Sequence, residues 1–267
     1  MNYSHAQIVA TLGPASQEKE IIKQMIAHHM DVVRLNFSWG THAEHADYIS
    51  KTRELAQELN RRIPILQDLS GPRLKTETGH AIDLEATQVI TPKDLDDLKF
   101  GLAQKVDYVA MSYVGNKNDV LEIKRHIKLL GHKTPVIAKI ERAVAVEKID
   151  EIISAADGIM VARGDLGNEV PLEQIPFIQD MIIRKCKAAV KPVITATQMM
   201  LSMKENPSPT RAEVTDVAFA IVSGSDGVML SDETANGQYP VEAVAMMEKI
   251  VLEAEKYLKI NYLNPLK

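Results

Sequence analysis

Eight short runs rich in β-branched residues alternate with stretches of helical spacing along the whole chain, and that alternation limits the fold more than any other feature. The runs are "QIVATLG", "VVRLNFS", "IPILQDLS", "YVAMSYV", "PVIAKIE", "GIMVARGD", "PVITATQM" and "GVMLSDE". Each precedes a helix-like segment, as in "EKEIIKQMIAHH" or "PVEAVAMMEKIVLEAEKYL". Strands joined by crossover helices run parallel, and eight such units in about 250 residues is the size of a closed (β/α)8 TIM barrel. The competing fold, an open doubly wound sheet, calls for a Gly-rich dinucleotide turn after its first strand. The turn here, "ATLGPAS", has one glycine. The expected fold class is α/β, a TIM barrel built as one domain over residues 1–267. One connection is irregular: "GPRLKTETGHAIDLEATQVIT", residues 71–91, is long for a βα loop and is expected to form a short hairpin or a flap.

Composition narrows the function classes. With 31 basic and 36 acidic side chains the net charge is −5, which weighs against a nucleic-acid partner held by a broad basic surface. No apolar run is long enough to span a bilayer, and the opening "MNYSHAQ" is too polar for a signal peptide, so a membrane partner is not expected. The single cysteine, Cys186, permits no internal disulfide, which suits a reducing, cytoplasmic setting. Its place in "IIRKCKAAV" reads as a small buried apolar side chain.

In a TIM barrel the chemistry sits at the C-terminal ends of the strands. The second run ends in Arg34, Asn36 and Ser38, the third in Asp68, and the fifth in Lys139 and Glu141. The sixth ends in Arg163, Gly164 and Asp165, the seventh in Thr197 and Gln198, and the eighth in Ser231 and Glu233. Any one of these reads equally well as a polar residue leading into a loop; six strands together place cations and carboxylates at one depth. Lys139 and Glu141 stand two apart in "PVIAKIE" and so share a face. A charged pair there needs partners, an ion or a substrate. Glu141 and Asp165 offer hard oxygen ligands suited to Mg²⁺ or Mn²⁺. Arg34 and Lys139 add the positive charge that a phosphate- or carboxylate-bearing substrate requires, and the turn in "RGDLG" offers backbone N–H groups to a carboxylate. The histidines of "THAEH", His42 and His45, are expected on a solvated helix face rather than at a zinc site.

At these residues the sequence resembles the pyruvate kinase family. The blocks that carry the likeness are "IVATLGPAS", "VVRLNFSWGTH", "LQDLSGPRLKT", "KDLDDLKFG", "VIAKIE", "ADGIMVARGDLGNEVP", "PVITATQMM", "NPSPTRAEVTDVA" and "DGVMLSDETANGQYPVEAV", in family order. The resemblance implies a phosphoenolpyruvate/pyruvate-binding barrel that transfers a phosphoryl group between phosphoenolpyruvate and ADP, giving pyruvate and ATP, with catalysis by positioning and charge neutralisation. It implies Mg²⁺ (or Mn²⁺) on Glu141 and Asp165, Lys139 on the transferring group and the enolate, and Arg34 on the phosphate. Backbone at Arg163, Gly164 and Asp165 would hold the carboxylate, Thr197 would lie on the proton path, and Ser231 and Glu233 would belong to a polar network. Asn36, Ser38, Asp68 and the Leu69 carbonyl match a monovalent-cation site. Potassium has a place there but is not expected to be required, because Arg73 stands where potassium-dependent relatives tend to carry a glutamate.

The family also inserts a lid domain after its third strand, where this chain has only residues 71–91, and carries a C-terminal regulatory domain, where this chain stops at "KINYLNPLK". Trp39 replaces a histidine near the nucleotide, Lys75 an arginine and Asp232 a glycine. A competent enolpyruvate site with weakened transfer is therefore expected. "MMLSMKENPSPTRAE" resembles the family's subunit contact, with Arg211 near the neighbouring site, so a homodimer is expected; read alone, it is a loop before a helix capped at Thr210. Two further readings stay open: a metal-dependent lyase or decarboxylase acting on a 2-oxo acid through an enolate, and a barrel that binds ligand without turnover.

Overall fold

The computed structural model describes residues 4–76, 79–82 and 88–263, with side chains for 4–73 and 88–259. Its strands are β1 (Gln7–Thr11), β2 (Val32–Asn36), β3 (Ile65–Asp68), β4 (Arg73–Thr76), β5 (Gly79–Ile82), β6 (Tyr108–Met111), β7 (Val136–Ile140), β8 (Gly158–Ala162), β9 (Val193–Ala196) and β10 (Gly227–Leu230). Its helices are α1 (Lys19–Ala27), α2 (His42–Glu58), α3 (Pro92–Ala103), α4 (Lys117–Leu129), α5 (Ala143–Glu147), α6 (Ile149–Ala155), α7 (Arg163–Leu166), α8 (Ile175–Ala188), α9 (Arg211–Ser223), α10 (Asp232–Ala235) and α11 (Pro240–Leu263).

Eight strands close in the order β1-β10-β9-β8-β7-β6-β3-β2, so the fold is the expected (β/α)8 barrel. Each of the eight β-branched runs supplies one barrel strand. Strands β4 and β5 stand apart as an antiparallel hairpin with Arg73 opposite Ile82, the first of the two forms expected for the long connection. Residues 77–78 and 83–87 of that connection lie outside the described residues. By packing, the chain divides into two compact units: one of residues up to Val33, Lys51–Ile63 and those from Val193 on, the other of Arg34–Ser50 and Pro64–Pro192. Among the described residues no helix is long and apolar enough to cross a membrane. Cys186 is buried, as its sequence context suggested.

Helix starts follow from local chemistry. Thr91 with Asp94, Asn116 with Asp119 and Thr210 with Glu213 form reciprocal capping boxes at the N-termini of α3, α4 and α9. Within each unit an aspartate just before one strand also locks the start of another. Asp31 Oδ2 accepts from the Ile8 N–H at 2.9 Å and Asp226 Oδ2 from the Val193 N–H at 3.0 Å. In the other unit Asp107 Oδ2 accepts from the Ile65 N–H and Asp157 Oδ2 from the Val136 N–H, both at 2.8 Å. Each of these aspartates returns its own N–H to the carbonyl of the same residue, at 2.9 Å. Side chain and backbone together fix the register of neighbouring strands, where a slip of one residue would turn every side chain to the wrong face.

Candidate active site

In the unit of residues 34–50 and 64–192, the strand ends bring six charged side chains into one network. Arg34, in the middle of β2, donates from Nε to Asp68 Oδ2 at 2.7 Å. Lys139, on β7, places Nζ 3.1 Å from Asp68 Oδ1 and 2.9 Å from Glu141 Oε1, and donates to Ser112 Oγ at 2.6 Å. Arg73 Nη2 lies 2.7 Å from Asp165 Oδ2 and 3.8 Å from Glu141 Oε1. The second Glu141 oxygen accepts from the Tyr113 N–H at 2.6 Å. The period-two reading of Lys139 and Glu141 holds, and the two charges pair with each other as well as with third parties. Arg34, Asp68, Lys139 and Glu141 are all buried.

Burial and charge compete here. Burial alone drives the Asp68 carboxyl up, but Lys139 and Arg34 outweigh it and hold the group below its ordinary value. Burial opposes charge on Lys139, yet Asp68 and Glu141 keep its ammonium above the usual range. For Glu141 burial wins over Lys139, assisted by the repulsion of Asp165, and the carboxyl is raised. Arg73 is held charged against burial chiefly by Asp165 and Glu141.

The backbone that carries these groups is specialised. Gly71 adopts a left-handed φ of 69°; its N–H donates to Asp94 Oδ1 at 3.0 Å, and an added Cβ would meet the Ser112 Cβ at 3.0 Å. Such a conformation favours glycine, and it sets the chain direction into Arg73. Among the described residues, the non-glycine residues at positive φ fall into two sets. His29, Asn60, Lys105 and Val190 each sit just past a helix. Tyr113, Thr197 and Gln198 sit just past β6 and β9, at φ of 63°, 67° and 54°. Strained backbone of this second kind gathers where strand ends carry function. Tyr113 is further fixed by the Arg142 guanidinium 4.6 Å from its ring centroid and by its hydroxyl bond to Glu169.

Other sequence candidates are placed differently. Arg163 opens α7, where Gly164 and Asp165 follow, and its Nη1 donates to Gln179 at 3.2 Å. Asn36 Oδ1 accepts from the Ser38 N–H, and the Leu69 carbonyl accepts from Ser112 Oγ at 2.7 Å. The Asn36, Asp68 and Leu69 oxygens matched to a monovalent-cation site thus carry protein hydrogen bonds or ion pairs. Trp39, directly after β2, is 56% exposed. The expectation of a solvated histidine face fails for His45, while His42 keeps a side chain that is 38% exposed. His45 is buried, stacked on Phe37 at a centroid distance of 4.0 Å, and bonds through Nε2 to the Trp39 carbonyl. His42 stacks on Phe100 at 4.3 Å and bonds to Asp97 at 2.7 Å. The aromatic face of Phe37 covers the His45 ring that helical spacing alone leaves in solvent, and Phe100 shields one face of His42.

In the other unit, Glu233 on α10 is buried and accepts from the Met200 N–H at 3.1 Å and the Ser231 N–H at 2.7 Å. Burial raises its carboxyl above the ordinary value despite those bonds. The Thr197 hydroxyl donates to the Ala196 carbonyl at 2.6 Å.

Ser112 and the Tyr113 N–H belong to the network but do not stand out in the sequence. Their signal is slight: a lone serine two positions past Ala110 in "YVAMSYV", on the face that Asp68 and Lys139 also use.

The structure defines a class: a TIM barrel with a largely buried, charge-balanced set of arginines, lysine and carboxylates at its strand ends. A family model described as "Pyruvate kinase, barrel domain" matches residues 3–89 and 78–244. The pyruvate kinase of Thermococcus litoralis is 39% identical over 331 aligned positions, which cover 94% of this chain and 70% of that protein. Those of Sporosarcina psychrophila and Geobacillus stearothermophilus are 37% and 38% identical, over 93% and 95% of this chain and 57% of each relative. The chain belongs to the pyruvate kinase family and carries its barrel portion. An alignment of 331 positions exceeds the 267 residues here, so the relatives hold residues inside the aligned span that this chain lacks. The overlap of the two matched stretches at 78–89 puts the break in the connection after β3.

Proposed function

We propose that this barrel performs pyruvate kinase chemistry, the phosphoenolpyruvate-to-pyruvate step of glycolysis, with phosphoryl transfer to ADP weakened by the short connection at 71–91. The observation that supports this best is Lys139: a lysine only 6% exposed, kept charged by Asp68 and Glu141, at a strand end of a pyruvate kinase-family barrel. Glu141 and Asp165 fit a divalent ion. Both are hard oxygen donors within reach of one guanidinium nitrogen, and the buried Glu141 Oε1 faces only cationic side chains, Lys139 at 2.9 Å and Arg73 at 3.8 Å. Mg²⁺ or Mn²⁺, when bound, supplies electrophilic charge beside phosphoryl and enolate oxygens.

The chain's own residues do the rest. Lys139 Nζ exchanges one of its three present partners for a substrate oxygen and opposes the charge that develops there. Arg34, aimed by its bond to Asp68, binds the phosphate. Backbone at Arg163, Gly164 and Asp165 receives the carboxylate, and Thr197 assists protonation of the enolate, with Ser231 and Glu233 shaping the strand end around it. Asn36, Ser38, Asp68 and Leu69 form the place for a monovalent cation, and with the Arg73 guanidinium adding positive charge nearby potassium is not required for activity. The barrel works as a cytoplasmic homodimer through the segment that contains Arg211, without nucleic acid or membrane.

A coupled assay for pyruvate, run with and without ADP and with Lys139→Met as control, tests the reading. ADP-dependent pyruvate that vanishes in the variant supports it. Pyruvate formed without ADP points to a lyase- or decarboxylase-type use of the enolate. Oxalate binding with no turnover of any kind points to a ligand-binding barrel.

A further inference from the structure

The two carboxylates assigned to a divalent ion already share a cation. Arg73 Nη2 touches Asp165 at 2.7 Å and approaches Glu141 at 3.8 Å. This is not the chance reach of a surface side chain. Arg73 is 17% exposed, its N–H donates to the Gly71 carbonyl at 2.8 Å, and its Nε donates to the Ser70 carbonyl at 3.2 Å. The left-handed turn at Gly71, pinned by Asp94, fixes where the residue starts. Arg34, Lys139 and Arg73 balance Asp68, Glu141 and Asp165, so the network is neutral as it stands. A divalent ion added on top would bring two more charges into a mostly buried space beside a guanidinium on the same oxygens, which Coulomb repulsion at short range opposes.

We propose that Arg73 is the resident counter-cation of the Glu141–Asp165 pair, and that metal binding at this site is an exchange in which the guanidinium leaves as the ion arrives. The proposal rests on Glu141 and Asp165 being the metal ligands. It makes Arg73 the residue that sets the divalent-ion affinity of this chain: its departure opposes metal binding, and its presence keeps the metal-free carboxylates paired.

Titration of Mn²⁺ alone, followed by the electron paramagnetic resonance signal of the free ion, tests the exchange on wild type, Arg73→Met and Glu141→Gln. Arg73→Met is expected to bind Mn²⁺ at least about tenfold more tightly, as loss of one charge-assisted competitor implies. Its metal-free melting temperature is expected to fall below that of wild type, with Mn²⁺ closing the gap. Arg73→Lys, which keeps charge on a stem without the guanidinium fork, is expected to lie between them and serves if the methionine variant does not fold. Equal or weaker Mn²⁺ binding by both Arg73 variants, with binding lost in Glu141→Gln, overturns the exchange and leaves the ligand assignment standing. Wild-type affinity in Glu141→Gln overturns the ligand assignment itself and the exchange with it.

Discussion

Glu141 and Glu233 are both buried carboxylates at barrel strand ends, and the protein holds them by different means. Glu141 faces the cations Lys139 and Arg73 and takes one backbone N–H, from Tyr113. Glu233 is held by the backbone N–H groups of Met200 and Ser231. Burial pushes both groups up. A carboxylate held by side-chain cations can trade them for a metal or for a substrate's needs, because side chains rotate. One held by backbone donors cannot do so without unfolding a strand end. The first arrangement suits chemistry and the second suits scaffold.

The largest effects should therefore come from cutting the cation-held network. Lys139→Met strands two buried acids, Asp68 and Glu141, and is expected to cost about 3–5 kcal/mol of stability, the usual penalty for halving a buried ion pair. Pyruvate formation should fall at least about a hundredfold, in line with removal of one preorganised charge from a transition state. Glu233→Gln keeps one acceptor oxygen and sets an NH₂ group against a backbone donor, for about 1–3 kcal/mol, and Mn²⁺ affinity should not move. Urea melts and Mn²⁺ titrations on the two variants check the contrast. A loss of metal affinity in Glu233→Gln would break it.

How much of this was legible in the sequence depends on how local each cause is. The eight strands were legible because β-branched runs separated by helical spacing have few ways to fold. The Lys139–Glu141 pairing followed from strand periodicity, and the Thr210 cap from a four-residue pattern. The aspartate clamps were visible in principle as an acid directly before a β-branched run, in "HMDVV", "KVDYVA", "AADGIM" and "GSDGVM", but their partners lie on another strand. Helical spacing leaves His45 in solvent for the same reason: the phenylalanine that covers it, Phe37, comes from just past β2. The sequence marks Arg73 as a source of charge, while its choice of Asp165 and Glu141 depends on the left-handed turn at Gly71. Tyr113 matters through a backbone N–H, which no side-chain pattern reports.

Acid titration sharpens the comparison, because the two units contribute with opposite sign. Burial raises Asp68, but Lys139 and Arg34 outweigh it and leave the group below the ordinary 3.8. Its stabilisation is present above that value and is lost as pH falls through the lower folded value. Glu233 is raised above 4.5 by burial. Its contribution is present below that value and is lost as pH rises through the higher folded one. The advantage of wild type over Asp68→Asn should thus grow with rising pH, and its advantage over Glu233→Gln should shrink. Urea melts between about pH 3 and pH 7 measure both. The same slope for both pairs would mean that the two carboxylates do not differ in the way their partners suggest.

The smallest effect tests whether local stability outside the ion network stays outside it. Thr210 caps α9, accepting the Glu213 N–H at 3.3 Å, while Glu213 Oε2 accepts the Thr210 N–H at 2.7 Å and its hydroxyl at 2.8 Å. Glu213 also takes the Ser202 N–H at 2.7 Å through its other oxygen, so one acid ties the helix start to the segment before it. Thr210→Ala removes the hydroxyl and leaves the backbone bond, and should cost about 1 kcal/mol, the ordinary loss for a capping threonine. Nothing in the cap touches Lys139, Arg73, Glu141 or Asp165, so Mn²⁺ affinity and the steepness of stability with pH should match wild type. A stability loss alone would place residues 202–213 with the scaffold. A change in metal affinity as large as that of Arg73→Met would show that the ion network answers to helix starts well beyond its own unit, and the division between exchangeable and scaffold carboxylates would have to be given up.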